Sequence, residues 1–302
     1  MVAELILTRD DIAWWVQNLA PIYETKLKRR TPIEVWSKVS EHGSAVGEAV
    51  REANFKDLVT HLAQALGWVV IFYGEAKKHR RGKWGYLNKP FSNASWDGSD
   101  FGRIQNLGEI VLYHYPALCP HCLGGKCKCV LGEKATDENR QRSLAEWRGR
   151  NRGDFDRTWA QLEDRFGGLY AHDDKIKSHA DIGFHFLEEI GEVVKSLRMV
   201  LQSEGSTAVC HVESPTTRNW LGQLVEEVAD VISWSTSVIR RVKLDLDNFC
   251  ELCPAETSPD SLRNLLSMKW ALEFTYLNNS QLPSPVCPKC GESPCLDSCD
   301  EF

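Results

Sequence analysis

No apolar run in this 302-residue sequence is long enough to cross a membrane, and Met1 to Ala20 carries acids and an arginine where a secretory leader has a basic start and an apolar core. Neither a membrane span nor a membrane partner is expected, and the expected compartment is the cytoplasm. Strand-like alternation is sparse, which argues against a sheet protein. With only 12 prolines and 21 glycines against 42% hydrophobic residues, a disordered chain is not expected either. Excess positive charge is also missing. The formal net charge of −6 gives no global attraction to nucleic acid or to an anionic membrane, so nucleic acid is not the favoured partner.

Cysteine is plentiful, at 11 residues. In a reducing compartment most of these point to metal rather than to disulfides, because they fall in or beside Cys-x-x-Cys clusters. A Cys-Pro-x-Cys knuckle turns two thiolates toward one zinc, and four such sulfurs close a structural site. One Zn²⁺ is expected on Cys119, Cys122, Cys127 and Cys129, with His121 a weaker substitute. A second is expected on Cys287, Cys290, Cys295 and Cys299. Cys250 and Cys253 could join the second group, and Cys210 reads as a free thiol. Few aromatics lie inside the knuckles to stack on bases, so they are expected to brace small lobes rather than to read RNA.

The chain also echoes itself. Leu58-Val59-Thr60-His61-Leu62-Ala63-Gln64 aligns with Leu224-Val225-Glu226-Glu227-Val228-Ala229-Asp230, and the match runs on to Trp68 and Trp234. Val46-Gly47-Glu48 likewise aligns with Ile190-Gly191-Glu192, and each helix pair is followed by a cysteine knuckle. The expected fold is therefore all-α: two antiparallel helix-bundle units, each ending in a small zinc knuckle. The first unit is placed at residues 1–132, a charged linker at 133–153 and the second unit at 154–302. Helices are expected over Asp10 to Tyr23, Ile33 to Ala53, Phe55 to Phe72, Asp154 to Phe166, Asp181 to Leu201 and Thr217 to Lys243. Shared positions, Trp68 and Trp234 among them, are expected in the core. The linker holds Arg140, Arg142, Arg148, Arg150 and Arg152, which read as a solvated face or as a phosphate-binding strip.

Chemistry is expected where the copies differ. Glu188, Glu189, Glu226, Glu227 and Asp230 stand where the first unit has Ser44, Ala45, Thr60, His61 and Gln64. Residues three or four apart share a helix face, so Glu188-Glu189-x-x-Glu192 and Glu226-Glu227-x-x-Asp230 on packed helices converge on one volume. Apolar neighbours, among them Phe184, Phe186, Ile190, Val225 and Val228, surround them. Carboxylates in such company repel one another and are costly to desolvate unless a cation such as Mg²⁺ or Mn²⁺ neutralises them.

Phe186-Leu-Glu-Glu-Ile-Gly-Glu-Val and Val225-Glu-Glu-Val-Ala-Asp-Val-Ile, with Leu244 to Asp247 following, resemble the signature of the all-α nucleoside triphosphate pyrophosphohydrolases, the MazG-like and dimeric dUTPase-like superfamily. The resemblance covers residues 181 to 250. It implies Mg²⁺-dependent hydrolysis of a nucleoside triphosphate or related nucleotide between the α and β phosphates, to the monophosphate and pyrophosphate. It implies Mg²⁺ (or Mn²⁺) on Glu189, Glu192, Glu227 and Asp230, with Glu188 positioning or deprotonating the attacking water. It also implies a pseudo-dimer within one chain, with further oligomerisation left open. Ser203 to Pro215 reads as an inserted loop absent from the family pattern, and the family's later lysine and asparagine are missing. Lys195, Arg198, Arg218 and Lys243 are the remaining candidates for phosphate contacts. The alternative is a non-catalytic adaptor that uses its knuckles and arginines to bind RNA, nucleotide or protein.

Overall fold

The computed structural model describes residues 11–52, 54–78, 107–115, 118–136, 138–140, 142–143, 146, 158–205, 215–249 and 294. Among these residues the regular structure is helical, and the only β pairing is an isolated antiparallel bridge between Asp11 and Thr158. The helices are α1 (Ile12–Ile22), α2 (Glu24–Leu27), α3 (Pro32–Arg51), α4 (Phe55–Lys78), α5 (Leu107–His114), α6 (Trp159–Ile176), α7 (His179–Gly205) and α8 (Pro215–Phe249). None of them is long and apolar enough to cross a membrane.

Local sequence explains where several helices start. Thr31 and Glu34 form a reciprocal capping box ahead of Pro32, and Thr158 with Gln161 forms another at α6. Ser178 and Asp181 exchange the equivalent bonds at α7, and at α4 the Asn54 side chain accepts from the Asp57 N–H while its amide donates to the Asp57 carboxylate. Each satisfies N–H groups that a helix start leaves without partners.

Four long helices close a bundle: α3 packs on α4 and on α7, α7 packs on α8, and α8 returns to α4. Glycines line the close contact between α3 and α7. A Cβ on Gly43 would lie 2.4 Å from Ile190 Cδ1, one on Gly47 would lie 2.6 Å from Leu187 Cδ1, and one on Gly183 would meet Val50 at 3.1 Å. Along these pairs the numbers rise on one helix as they fall on the other, so the two helices run antiparallel. Trp36 Nε1 adds a buried bond to the Ile190 carbonyl at 3.2 Å. On α8 the inward residues Leu224, Val225, Val228, Val231 and Ile232 are all buried. Burying each such side chain contributes about 1.5–3 kcal/mol, which holds α8 in place against the repulsion of its acids.

Several boundaries differ from the sequence-based expectation. Helix α6 begins later than Asp154 and runs past Phe166 to Ile176, while α4 continues past Phe72 to Lys78. Helix α5 was not expected at all, being only 8 residues long and hidden by its short apolar run. Trp68 is fully buried as expected and packs on Tyr23, whereas Trp234 is only partly buried. The core reading of Trp234 is therefore corrected: its ring edges a cleft. Phe184, expected among the apolar neighbours of the acids, is 68% exposed. Phe184 and Glu188, four residues apart, share an exposed face at this end of α7.

Candidate functional site

Glu189 on α7 and Glu227 and Asp230 on α8 each place a carboxylate oxygen within 4.8 Å of the other two. The i,i+3 spacing on α8 puts Glu227 and Asp230 on one face, and the packing of α7 on α8 brings Glu189 over them. Glu188 stands apart at the rim of the cleft, 64% exposed, with His185 Nδ1 at 3.2 Å. Glu192 is turned to Lys195, 2.8 Å away, and does not join the three-acid group in this arrangement. Its charge still acts on Glu227.

The last residue of α5 and the residue after it supply two groups missed in the sequence. Tyr115 donates its hydroxyl hydrogen to Asp230 Oδ1, and His114 Nε2 stands 3.3 Å from the same oxygen. Burial first, then the charge of Asp230, holds the Tyr115 phenol well above its ordinary range, so it stays a donor. Nothing in Tyr115's sequence neighbourhood marks it, because its partner lies 115 residues away.

Electrostatics fit a cation site. Burial, then Asp230 and Glu227, pushes Glu189 up to about 8, and burial, then Asp230 and Glu192, pushes Glu227 up to about 7. Both carboxyls therefore retain protons near neutrality in metal-free protein, and a bound dication must displace them. Affinity for Mn²⁺ is expected to rise steeply with pH between about 6 and 8 and then flatten, with protons released on binding. Calorimetry in buffers of differing ionisation enthalpy reads both quantities, and an affinity flat across that range would count against the site. The stability of metal-free protein runs the other way. Folded pKa values above the ordinary carboxylate value mean that the native state binds the extra protons, so stability falls as pH rises from about 4.5 to 8.

Cys119, Cys122, Cys127 and Cys129 form the second group, again with ligand atoms within 4.8 Å of one another. Cys119 Sγ lies 3.6 Å from Cys127 Sγ and 3.7 Å from Cys129 Sγ. Tetrahedral zinc with Zn–S bonds of about 2.3 Å needs S···S edges of about 3.8 Å, so the four thiols could hold a metal such as zinc. The backbone is shaped to match. Leu123 has φ 58, the Lys128 N–H points at Cys122 Sγ at 3.4 Å, and a Cβ on Gly124 would meet the Lys126 carbonyl oxygen at 2.6 Å. Burial lifts the Cys127 thiol far above its usual range, and burial, then the Cys119 charge, lifts Cys129 to about 12. A dication reverses that balance by stabilising the thiolates.

Cys127 and Cys129 from one group and Glu189 and Asp230 from the other line one cleft of about 320 Å³, together with Tyr170 and Glu188. The Cys127 N–H donates to the Leu169 carbonyl at 2.7 Å, and the Tyr170 hydroxyl reaches Cys119 Sγ at 3.9 Å. The module is thus joined to α6, and two of its thiols also line the cleft. Asp173, Lys177 and Trp234 also line the cleft.

Lys195 and Arg198 are exposed on α7 and do not line the cleft, while Arg218 and Lys243 lie on α8 with side chains outside the described residues. Where the first unit aligns with the acids, His61 stacks on His42 with ring centres 5.9 Å apart, and Gln64 is buried. The loop expected over Ser203 to Pro215 is shorter than that, because residues 203–205 belong to α7 and Pro215 opens α8. Residues 206–214, Cys210 among them, lie outside the described residues, as do Cys250, Cys253, Cys287, Cys290, Cys295, Cys299, Arg148, Arg150 and Arg152. No protein-family model, curated protein or solved structure matches the chain.

Proposed function

We propose that the chain is a nucleotide pyrophosphohydrolase that cleaves a nucleoside triphosphate between the α and β phosphates with the help of Mg²⁺ or Mn²⁺. The observation that carries this reading is the convergence of Glu189, Glu227 and Asp230 within 4.8 Å of one another, two of the three lining a cleft and two resisting ionisation. The resemblance of the two acidic helices to the MazG-like signature supplies the reaction class. Such a donor set of oxygens fits a hard divalent cation. When bound, that cation offsets phosphate charge and makes water more acidic.

The protein's own groups do the rest. Glu189, Glu227 and Asp230 hold the cation, and Tyr115 with His114 keeps Asp230 turned toward it. Glu188, at the rim beside His185, orients a water and takes its proton as the water oxygen attacks the α phosphorus. The bond from that phosphorus to the bridging oxygen breaks, and pyrophosphate leaves. In this reading Glu192, paired with Lys195 here, would be the fourth carboxylate available to the cation. We also read the four-helix bundle as two copies of one helix pair about a pseudo-twofold axis. The bridge between Asp11 and Thr158, each preceding the first helix of its half, supports this, as does the antiparallel register of α3 and α7. The Cys119 group is read as structural zinc.

A panel of canonical and modified nucleoside triphosphates with Mg²⁺ or Mn²⁺ tests the reaction. Pyrophosphate and the monophosphate are expected in equal amounts from at least one member. Orthophosphate as first product, or no turnover of any member, would overturn the assignment.

A further inference from the structure

A triphosphate carrying one dication is still negative, and Glu189, Glu227 and Asp230 add to that charge, so its phosphate oxygens need N–H donors from the protein. Lys195 and Arg198 lie outside the cleft. Of the basic side chains that line it, Lys177 Nζ is 4.0 Å from an Asp173 carboxylate oxygen, and His185 Nδ1 is 3.2 Å from Glu188. The third is His121, whose ring makes no hydrogen bond among the described residues.

His121 is carried on a tightly tied turn. It stands between Cys119 and Cys122, where the Leu123 N–H donates to the Cys119 carbonyl and the Cys119 N–H donates to the Gly124 carbonyl, both at 2.9 Å. Four thiols already make a tetrahedral set, so zinc does not claim the ring. The His121 carbonyl accepts from the Ala135 N–H at 2.9 Å, which returns the chain to this turn and brings Lys134 beside it. Arg140 follows within a helical turn that begins at Thr136, and it is partly buried. The His121 ring is accessible from the cleft but closely flanked. Lost hydration, then His114, holds it below the ordinary histidine range, with Arg140 and Lys134 acting the same way and Asp230 opposing them. Basic groups thus gather at the cysteine end of the cleft, across from the acids.

We propose that His121 binds a phosphate oxygen of the substrate whose phosphates sit on the cation at Glu189, Glu227 and Asp230, with Lys134 and Arg140 adding charge to the same corner. This rests on the nucleotide reading of the acidic site. A ring N–H donates to the phosphate oxygen. Because the turn is held at both ends by metal-binding thiols, little freedom is lost when the phosphate arrives. The first cysteine module then has a second task besides bracing, supplying the phosphate contact that α7 and α8 do not bring to the cleft.

Calorimetric binding of inorganic pyrophosphate to the full zinc-loaded chain, with Mn²⁺ saturating, tests this without turnover. His121→Ala is expected to weaken pyrophosphate binding at least fivefold, while Mn²⁺ alone binds within twofold of the parent and zinc content is unchanged. His121→Gln, whose amide still donates, should bind more tightly than His121→Ala. Lys134→Gln should cost about threefold, a loss that shrinks as salt is raised. The proposal is overturned by no pyrophosphate binding in the parent, by a loss under fivefold in His121→Ala, by equal binding in the alanine and glutamine variants, or by loss of zinc or of Mn²⁺ affinity in His121→Ala. The two readings fail separately. Pyrophosphate bound through His121 without turnover of any nucleoside triphosphate removes the reaction and leaves the anion site. Turnover by a parent whose pyrophosphate binding ignores His121 removes the site and leaves the reaction.

Discussion

Asp230→Asn is expected to lower pyrophosphate release at least a hundredfold while leaving the metal-free protein as stable as the parent or more so. The two effects have separate causes. Asn keeps the Oδ1 that accepts from Tyr115, so the contact between α5 and α8 survives. What it loses is charge, and that charge is the second-largest influence raising both Glu189 and Glu227. With it gone, the remaining carboxyls repel less and metal-free stability rises, most visibly near pH 8. The cation loses one of three converging oxygens with full charge, and losses of this kind cost about 10²–10³ in turnover where charge is stabilised in a dry site. Melting curves with and without Mn²⁺, beside the pyrophosphate assay, separate the effects. The parent should gain several degrees from Mn²⁺ at pH 8 and the variant much less. Activity within threefold of the parent would sink the assignment of Asp230 to the cation.

Cys119→Ser is expected to remove one equivalent of zinc per chain, lower the melting midpoint by about 5–10 °C and reduce activity about tenfold or more. Cys119 is fully buried at the centre of the sulfur group, and serine neither reaches nor charges in the same way. The stability effect follows from uncoupling the segment after α5 from α6, which the Cys127 N–H and the Tyr170 hydroxyl join. The effect on activity follows from position, since Cys127 and Cys129 form one wall of the cleft that holds Glu189 and Asp230. Metal content by elemental analysis and calorimetric melting on the same sample check it. Unchanged zinc content would show that the four thiols hold no metal. A stability loss with full activity would instead confine the module to bracing.

Both expectations draw on residues that the sequence singles out, yet they also depend on contacts it does not display. The acids were legible because two adjacent helices carry them at helical spacing where the aligned first-half positions carry Ser44, Ala45, Thr60, His61 and Gln64. The Cys119 group was legible because knuckle spacing is short and local. Glu188 and Glu192 show the limit of spacing. Period 3.6 places them on the right helix, but whether each meets the others depends on neighbours such as His185 and Lys195. Tyr115 and His114 were not legible. Each matters through a partner or a wall contributed by packing, and ordinary surface residues have the same local sequence context. Trp234 was misread for the same reason, since its alignment with Trp68 reports a shared helix position and not what lies on the open side of the ring.

By itself the sequence determined the helical class, the approximate extent of the long helices, the acidic residues and the first thiol group. These rest on period, capping residues and short-range spacing, which act over a few turns of chain. Tertiary structure alone decided that Glu189 joins Glu227 and Asp230 while Glu192 turns to Lys195. It also decided that His114 and Tyr115 meet Asp230 and that Cys127 and Cys129 line the same cleft as Glu189 and Asp230. Those outcomes depend on which helix faces meet, and that is set by packing between segments far apart in the chain, which local pattern does not encode.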